Sequence, residues 1–163
     1  ASAAQGYGLA QSTLGYLYMY GDGVEQDLPV ALTWYRKAAE QGDPYGQHNL
    51  AIMYDEGMGM PVNDQEAVVW YRKAAMQAYI PAWVNLGLCY WRGEGVAQDK
   101  IEAFAWLELT RYSTTTSPNM RVKWTTRGNL DELTTQLTRA EITRGKDRAK
   151  QLSDEIFSRR GKN

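Results

Sequence analysis

The chain has 163 residues, room for one domain with a sizeable core and not comfortably for two. Lys and Arg number 18 against 19 Asp and Glu, so there is no electrostatic case for a nucleic-acid or membrane-surface partner. No run approaches the ~18 apolar residues of a bilayer span, one cysteine excludes an internal disulfide, and one histidine leaves little for a zinc site. Neither membrane insertion nor a metal or cofactor is expected. The aromatic content is lopsided, 11 Tyr and 6 Trp against 2 Phe, which suits surfaces that pack while staying partly wet.

In chain order, Ala1-Ser2-Ala3-Ala4-Gln5-Gly6 stands in register with Lys37-Ala38-Ala39-Glu40-Gln41-Gly42. It reads as the remnant of an upstream repeat; the rival reading is a small-residue signal-peptide cleavage trace at Ala1-Ser2-Ala3. Helix pairs are then predicted at 8–20 and 28–41, 44–56 and 64–77, and 80–92 and 100–112. The pairs are copies. Residues 7–42 and 43–78 align without a gap at 13 identities in 36 positions, and chance does not hold a register that well. A third copy keeps the offset in the columns Leu14/Leu50/Leu86, Tyr18/Tyr54/Tyr90, Ala31/Ala67/Ala103 and Trp34/Trp70/Trp106.

Within each copy, Gly21/Gly23, Gly57/Gly59 and Gly93/Gly95 end the first helix, because glycine takes a left-handed backbone without a Cβ penalty. Asp27, Asn63 and Asp99 then cap the second, with Glu66 and Glu102 at capping-box spacing from the latter two. Ala31, Trp34, Tyr35 and Ala38 form its packing stripe. Gly15, Ala51 and Gly87 sit mid-helix, where a recurring small residue signals close approach of the partner helix. Trp70→Ala, in the central copy, is expected to cost on the order of 3–5 kcal/mol.

Beyond Tyr112 the texture changes. Ser113-Thr114-Thr115-Thr116-Ser117-Pro118 reads as a loop, a helix is expected from about Pro118 to Gln136, and Gly128 weakens its continuity. Thr138 and Glu141 form a capping box ahead of a stripe of Ile142, Ala149, Leu152 and Ile156. The chain thus divides into an array at 1–112 and a linker with capping helices at 113–163. The first holds 7 basic and 13 acidic side chains, the second 11 and 6. That basic excess is either a solvated helix face or a contact for an acidic partner.

The Leu-Gly pairs at 14–15 and 86–87, the Tyr-x-x-Gly-x-Gly turns and the Trp-Tyr-Arg-Lys-Ala-Ala segments resemble the Sel-one-like repeat (SLR) family, relatives of the tetratricopeptide repeat. The resemblance covers about residues 1–112 and frays in copy three, where Leu107-Glu108-Leu109 follows Trp106. Leu137-Thr138-Arg139-Ala140-Glu141-Ile142 is similar, at half its positions, to a segment that often follows the last unit in bacterial SLR proteins. The resemblance implies an all-α fold, an α/α solenoid of three 36-residue helix-turn-helix repeats with C-terminal capping helices. It implies bacterial origin, a place in the periplasm or envelope rather than the cytoplasm, and roles in envelope, secretion, host-contact or toxin-immunity processes. It further implies that the first helix of each pair lines a concave groove.

The positions expected to face that groove are Ser12, Tyr16, Met19 and Tyr20; His48, Ile52, Asp55 and Glu56; and Val84, Leu88, Trp91 and Arg92. These columns vary between copies while the packing columns repeat, as a common scaffold with a particular binding surface requires. Tyr, Trp and Arg are also frequent interface anchors; the competing reading is that Tyr16 and Trp91 fill gaps between helices. Trp91 is expected to be accessible, with Arg92 close by. The three Gly-x-Gly turns lack the third glycine and the strand context of a dinucleotide fingerprint. Cys89 shares an apolar column with Leu17 and Met53 and reads as core. Non-catalytic binding of a protein or peptide is the expected function. The alternatives are a small hydrolase using His48 with Asp55 or Glu56, and a structural spacer. The sequence leaves the oligomeric state open.

Overall fold

The computed structural model describes residues 2–112 and 120–160, with side chains over 7–111 and 127–158. Among them are eight helices and no strand: α1 (Ser2–Tyr20), α2 (Leu28–Glu40), α3 (Pro44–Glu56), α4 (Asp64–Ala75), α5 (Ile80–Arg92), α6 (Lys100–Tyr112), α7 (Met120–Thr135) and α8 (Arg139–Arg160). The expected Ser/Thr-rich loop falls outside the described residues. Only the first helix departs from expectation by more than two residues. It begins at Ser2 and runs on through Gly6, because Tyr7 and Gly8 stand where Asp43 caps and Pro44 opens α3.

Each repeat is closed by the same device. Gly21, Gly57 and Gly93 take φ of 70°, 67° and 77° at the ends of α1, α3 and α5. The carbonyls of Tyr18, Tyr54 and Tyr90 then accept the backbone N–H of Asp27, Asn63 and Asp99, at 2.9, 2.8 and 2.9 Å. Those three side chains in turn accept from the first turn of the second helix: Val30 N–H at 2.9 Å, Glu66 N–H at 3.1 Å and Glu102 N–H at 3.0 Å. Glu102 does not return to Asp99 as a capping box would require. Its carboxylate accepts instead from Trp106 Nε1 at 3.0 Å and from Arg148 Nε at 2.9 Å. The full box forms at Thr138, whose N–H donates to Glu141 at 2.8 Å while Glu141 N–H donates to Thr138 Oγ1 at 3.3 Å.

The chain forms two compact units, Ala1–Tyr79 and Ile80–Asn163. In the first, the hairpins α1–α2 and α3–α4 stack through α2 on α3, and α1 also touches α3. No comparable contact joins α2 and α4 among the described residues, so α1 and α3 make one layer with α2 and α4 outside it. In the second unit α6 is central, packed by α5, α7 and α8. The stripe on α8 buries Ala149, Leu152 and Ile156 as expected. It also contains Gly145, where an added Cβ would lie 2.6 Å from the Phe104 ring; α8 needs that glycine to approach α6.

The packing stripe of the second helix is correct in position but not in its leading residue. Tyr35, Tyr71 and Leu107 are fully buried, whereas Trp34 and Trp70 are only partly so. The ammonium groups of Lys37 and Lys73 lie over those two indoles, 4.6 and 3.6 Å from the ring centroids. Only Trp106 is buried outright. The buried column faces the small residues: a Cβ on Gly15 would stand 2.8 Å from Tyr35, and one on Gly87 2.9 Å from Leu107.

Two stability measurements follow from this packing. Tyr71→Ala removes a buried ring and its hydrogen bond to Asp55 at 3.1 Å, and should cost on the order of 3–5 kcal/mol. Trp70→Ala should cost only about 1–2 kcal/mol; chemical denaturation giving the reverse order would show that the tryptophan column is the core. Ala78 has φ of 60° where the preceding copy has Gly42 at 88°. Left-handed backbone costs a non-glycine residue roughly 1–2 kcal/mol, partly offset by the entropy a glycine loses on folding. Ala78→Gly should therefore stabilise by roughly 0.5–1 kcal/mol, raising the denaturation midpoint with an unchanged slope.

Candidate functional site

Helix geometry sorts the expected groove residues. At about 100° per residue, positions seven apart nearly coincide, while those four apart step round by about 40°. Ser12 and Met19 therefore share one face of α1, and Tyr16 and Tyr20 the adjoining one. The first face turns inward. Ser12 is fully buried with its hydroxyl donating to the Leu9 carbonyl at 3.1 Å, and Met19 belongs to the core with Tyr35 and Leu50. The second face is open: Tyr16 is 40% and Tyr20 60% exposed, their rings 4.7 Å apart. The same rotation holds in α3, where His48 is buried and Asp55 half-buried while Ile52 is half-buried and Glu56 exposed.

Ser12, Met19 and His48 are thus corrections, since they face the packing and not solvent. The open face gains Leu9, seven residues before Tyr16 and 61% exposed, whereas Tyr45 at the matching place in α3 packs on the core beside Tyr35 and Tyr79. The i, i+7, i+11 spacing of Leu9, Tyr16 and Tyr20 was the available signal.

His48 lies between two phenols, its ring 5.7 Å from Tyr71 and 5.1 Å from Tyr79. Tyr79 packs in turn on Tyr45, and Tyr45 on Tyr35, each at 6.4 Å between centroids. Gln77 fastens this cluster, donating to the Gly42 carbonyl at 2.9 Å and to Gln47 Oε1 at 2.8 Å. Burial lowers the His48 pKa to about 4 and pushes Tyr79 up to about 12. The imidazole is therefore neutral and enclosed at ordinary pH. Of its expected partners, Asp55 is half-buried and accepts from the Tyr71 hydroxyl at 3.1 Å, while Glu56 is exposed.

In the second unit the cap covers the same face. Val84 is buried against Phe104, Leu107, Leu130 and Leu133, with Leu88 and Trp91 packed on that cluster. Trp91 Nε1 donates to Gln136 Oε1 at 3.3 Å, so this indole packs on the chain's own C-terminal helices. Trp91 is therefore half-buried, while Val84 is a correction, since it faces the packing and not a groove. Arg92 is exposed and meets Glu94 at 3.5 Å. Among the described residues there is no group of three or more His, Cys, Asp or Glu placed to hold a metal ion, and Cys89 is buried.

The buried imidazole has a consequence for acid stability. The folded chain takes up its proton only near pH 4, the unfolded chain from about 6.5 downward, so the unfolded state binds more protons between the two. Stability is complete above about 6.5 and falls toward 4. A unit of pH within that window is worth about 1.4 kcal/mol, so roughly 2 kcal/mol should be lost between about pH 6.5 and pH 5. Denaturation of the wild type and of His48→Phe at both pH values should show that loss only in the wild type. Parallel losses would place the acid-sensitive group elsewhere.

Comparison with known proteins gives the geometry its context. Residues 8–43, 44–79 and 82–110 match the Sel1 repeat family. A protective antigen of uropathogenic Escherichia coli strains with an SLR fold, c5321, superposes at a TM-score of 0.78 and 32% identity. The match covers 99% of this chain and 34% of the E. coli chain, so this chain spans about a third of that protein's length. A Sel1 repeat protein from Oxalobacter formigenes gives 0.60 at 42% identity, covering 62% of this chain and 42% of its own. A comparison with curated proteins gave no match. Three matched repeats over the same hairpins that the structure shows make this chain a member of the Sel1 repeat family.

Proposed function

We propose that the chain is a non-catalytic scaffold that binds a protein or peptide partner on the layer formed by α1 and α3. Sel1 repeat proteins are generally protein-interaction scaffolds. The observation that carries the reading here is an exposed face whose residues do not repeat, set on a core whose residues do. Leu50 and Leu86 are fully buried, as are Tyr35 and Tyr71, whereas the Tyr20/Glu56 column changes chemistry from one copy to the next and stays exposed.

Large aromatics left in water on one helix face carry no folding benefit that a smaller polar residue would forgo, and they supply anchors for a partner. Tyr16, Tyr20, Ile52 and Glu56, with Leu9, are the contact set we assign. Asp55, Leu88 and Arg92 stand at its margins or in the second unit. The likeness to a protective antigen of uropathogenic strains supports a setting in host contact.

The test is a paired capture experiment. The 163-residue chain and its Tyr16→Ala/Tyr20→Ala variant would be used as baits with protein from the native host. A partner retained by the wild type should be weakened at least about tenfold by the variant, the effect of losing an interface hot spot. The unfolding midpoint should stay within about 0.5 kcal/mol of wild type, as expected for exposed positions. Equal retention by both baits would remove this face from the contact.

A further inference from the structure

We propose that the segment bound on the α1/α3 face presents an arginine flanked by apolar residues. The inference rests on the binding role assigned above and specifies the chemistry of its partner. Neither α1 nor α3 contains a single Lys or Arg, and the open face ends in the carboxylate of Glu56. All four basic residues of the first unit, Arg36, Lys37, Arg72 and Lys73, lie on the outer helices α2 and α4. Two of these already stack on indoles of their own helix, Lys37 over Trp34 and Lys73 over Trp70. The unit as a whole carries 4 basic against 9 acidic side chains, so its field favours a cation.

The shape of the cation follows from the aromatic pair. Tyr16 and Tyr20 meet at 4.7 Å with planes tilted by 47°, and Tyr20 is 60% exposed, so its ring is accessible to a flat group. Guanidinium stacks on such a face and still directs N–H groups sideways, whereas an ammonium offers only a point charge. Glu56 occupies the Tyr20 position of the next repeat, and packed helices stand about 8–10 Å apart. One arginine lying between the two helices stacks its guanidinium on the phenol and directs its free N–H edge toward the carboxylate. Leu9 and Ile52 supply the apolar contacts on either side.

A random-peptide phage-display library selected against the full chain tests this directly. Enriched sequences should contain arginine next to aliphatic residues, and a synthetic peptide of that sequence should bind more weakly as salt is raised. Replacing its arginine by citrulline should cost at least about fivefold in affinity, as should Tyr20→Ala or Glu56→Lys in the protein. Glu40→Lys makes the same charge change on the outer helix α2 and should bind like wild type. Thermal melts would confirm that each variant is folded.

Equal binding of the citrulline peptide, or enrichment of neutral or acidic peptides that depend on Tyr20, overturns the arginine while leaving the face intact. Peptides indifferent to Tyr20 overturn both readings. A dimer that Tyr20→Ala dissolves, seen by sedimentation, would give the face to a second copy of the chain instead.

Discussion

The hairpins depend on a close approach between the backbone of the first helix and a large side chain of the second. At Gly15 the α1 backbone lies against Tyr35 so tightly that a methyl group could not be added, and at Gly87 α5 does the same against Leu107. Because the two helices of a hairpin meet at that distance, their remaining side chains have fixed destinations. In the first unit the large residue of the second helix is buried completely, the tryptophan beside it is left half in water, and the Tyr16/Tyr20 side of α1 stays open. In the second unit Trp106 is buried and the matching face of α5 packs on Leu130 and Leu133. The aromatic surface on α1 is a consequence of this contact as much as of its own residues. The same principle recurs away from the hairpins, at Gly46 against Ala38 and at Gly145 against Phe104.

Repetition made most of the fold legible. A column that recurs three times at one offset names its own role, which is why the turns, caps and helix limits of residues 28–112 were readable within a residue or two. The tyrosine column and the tryptophan column recur equally well, and so recurrence could not say which of the two is core. That depends on a rotation of about 100° between neighbours and on which helix lies behind, information that a one-dimensional period does not carry. The same limitation misplaced Ser12, Met19 and His48, each a step round the helix from an exposed residue.

Features formed once in the chain were harder to see. The Glu102–Arg148 pair joins residues 46 apart with no periodic partner, and it displaced a local capping box that looked equally sound in the sequence. Trp91 was read as a free aromatic because nothing in the repeat foretells that α7 and α8 come back over α5 and α6. Its environment is tertiary. The absence of Lys and Arg from α1 and α3, by contrast, was present in the sequence all along, but it took the layer arrangement to set these helices apart from the outer ones that hold all four basic residues of the unit.

The cover that α7 and α8 place on α6 bears on how a chain of this kind can change length. An in-frame duplication of residues 43–78 would insert a hairpin with the spacing and packing columns of those beside it, and the loops at both joints would be ones the chain already makes. A copy inserted after Tyr112 would have to compete with Leu133, Ala149, Leu152 and Ile156 for the surface they already occupy. Growth by duplication is therefore permitted inside the array and blocked at the cap. Each internal copy would also add one more non-repeating position beside Tyr20 and Glu56, so that lengthening the scaffold and diversifying what it binds become a single genetic event.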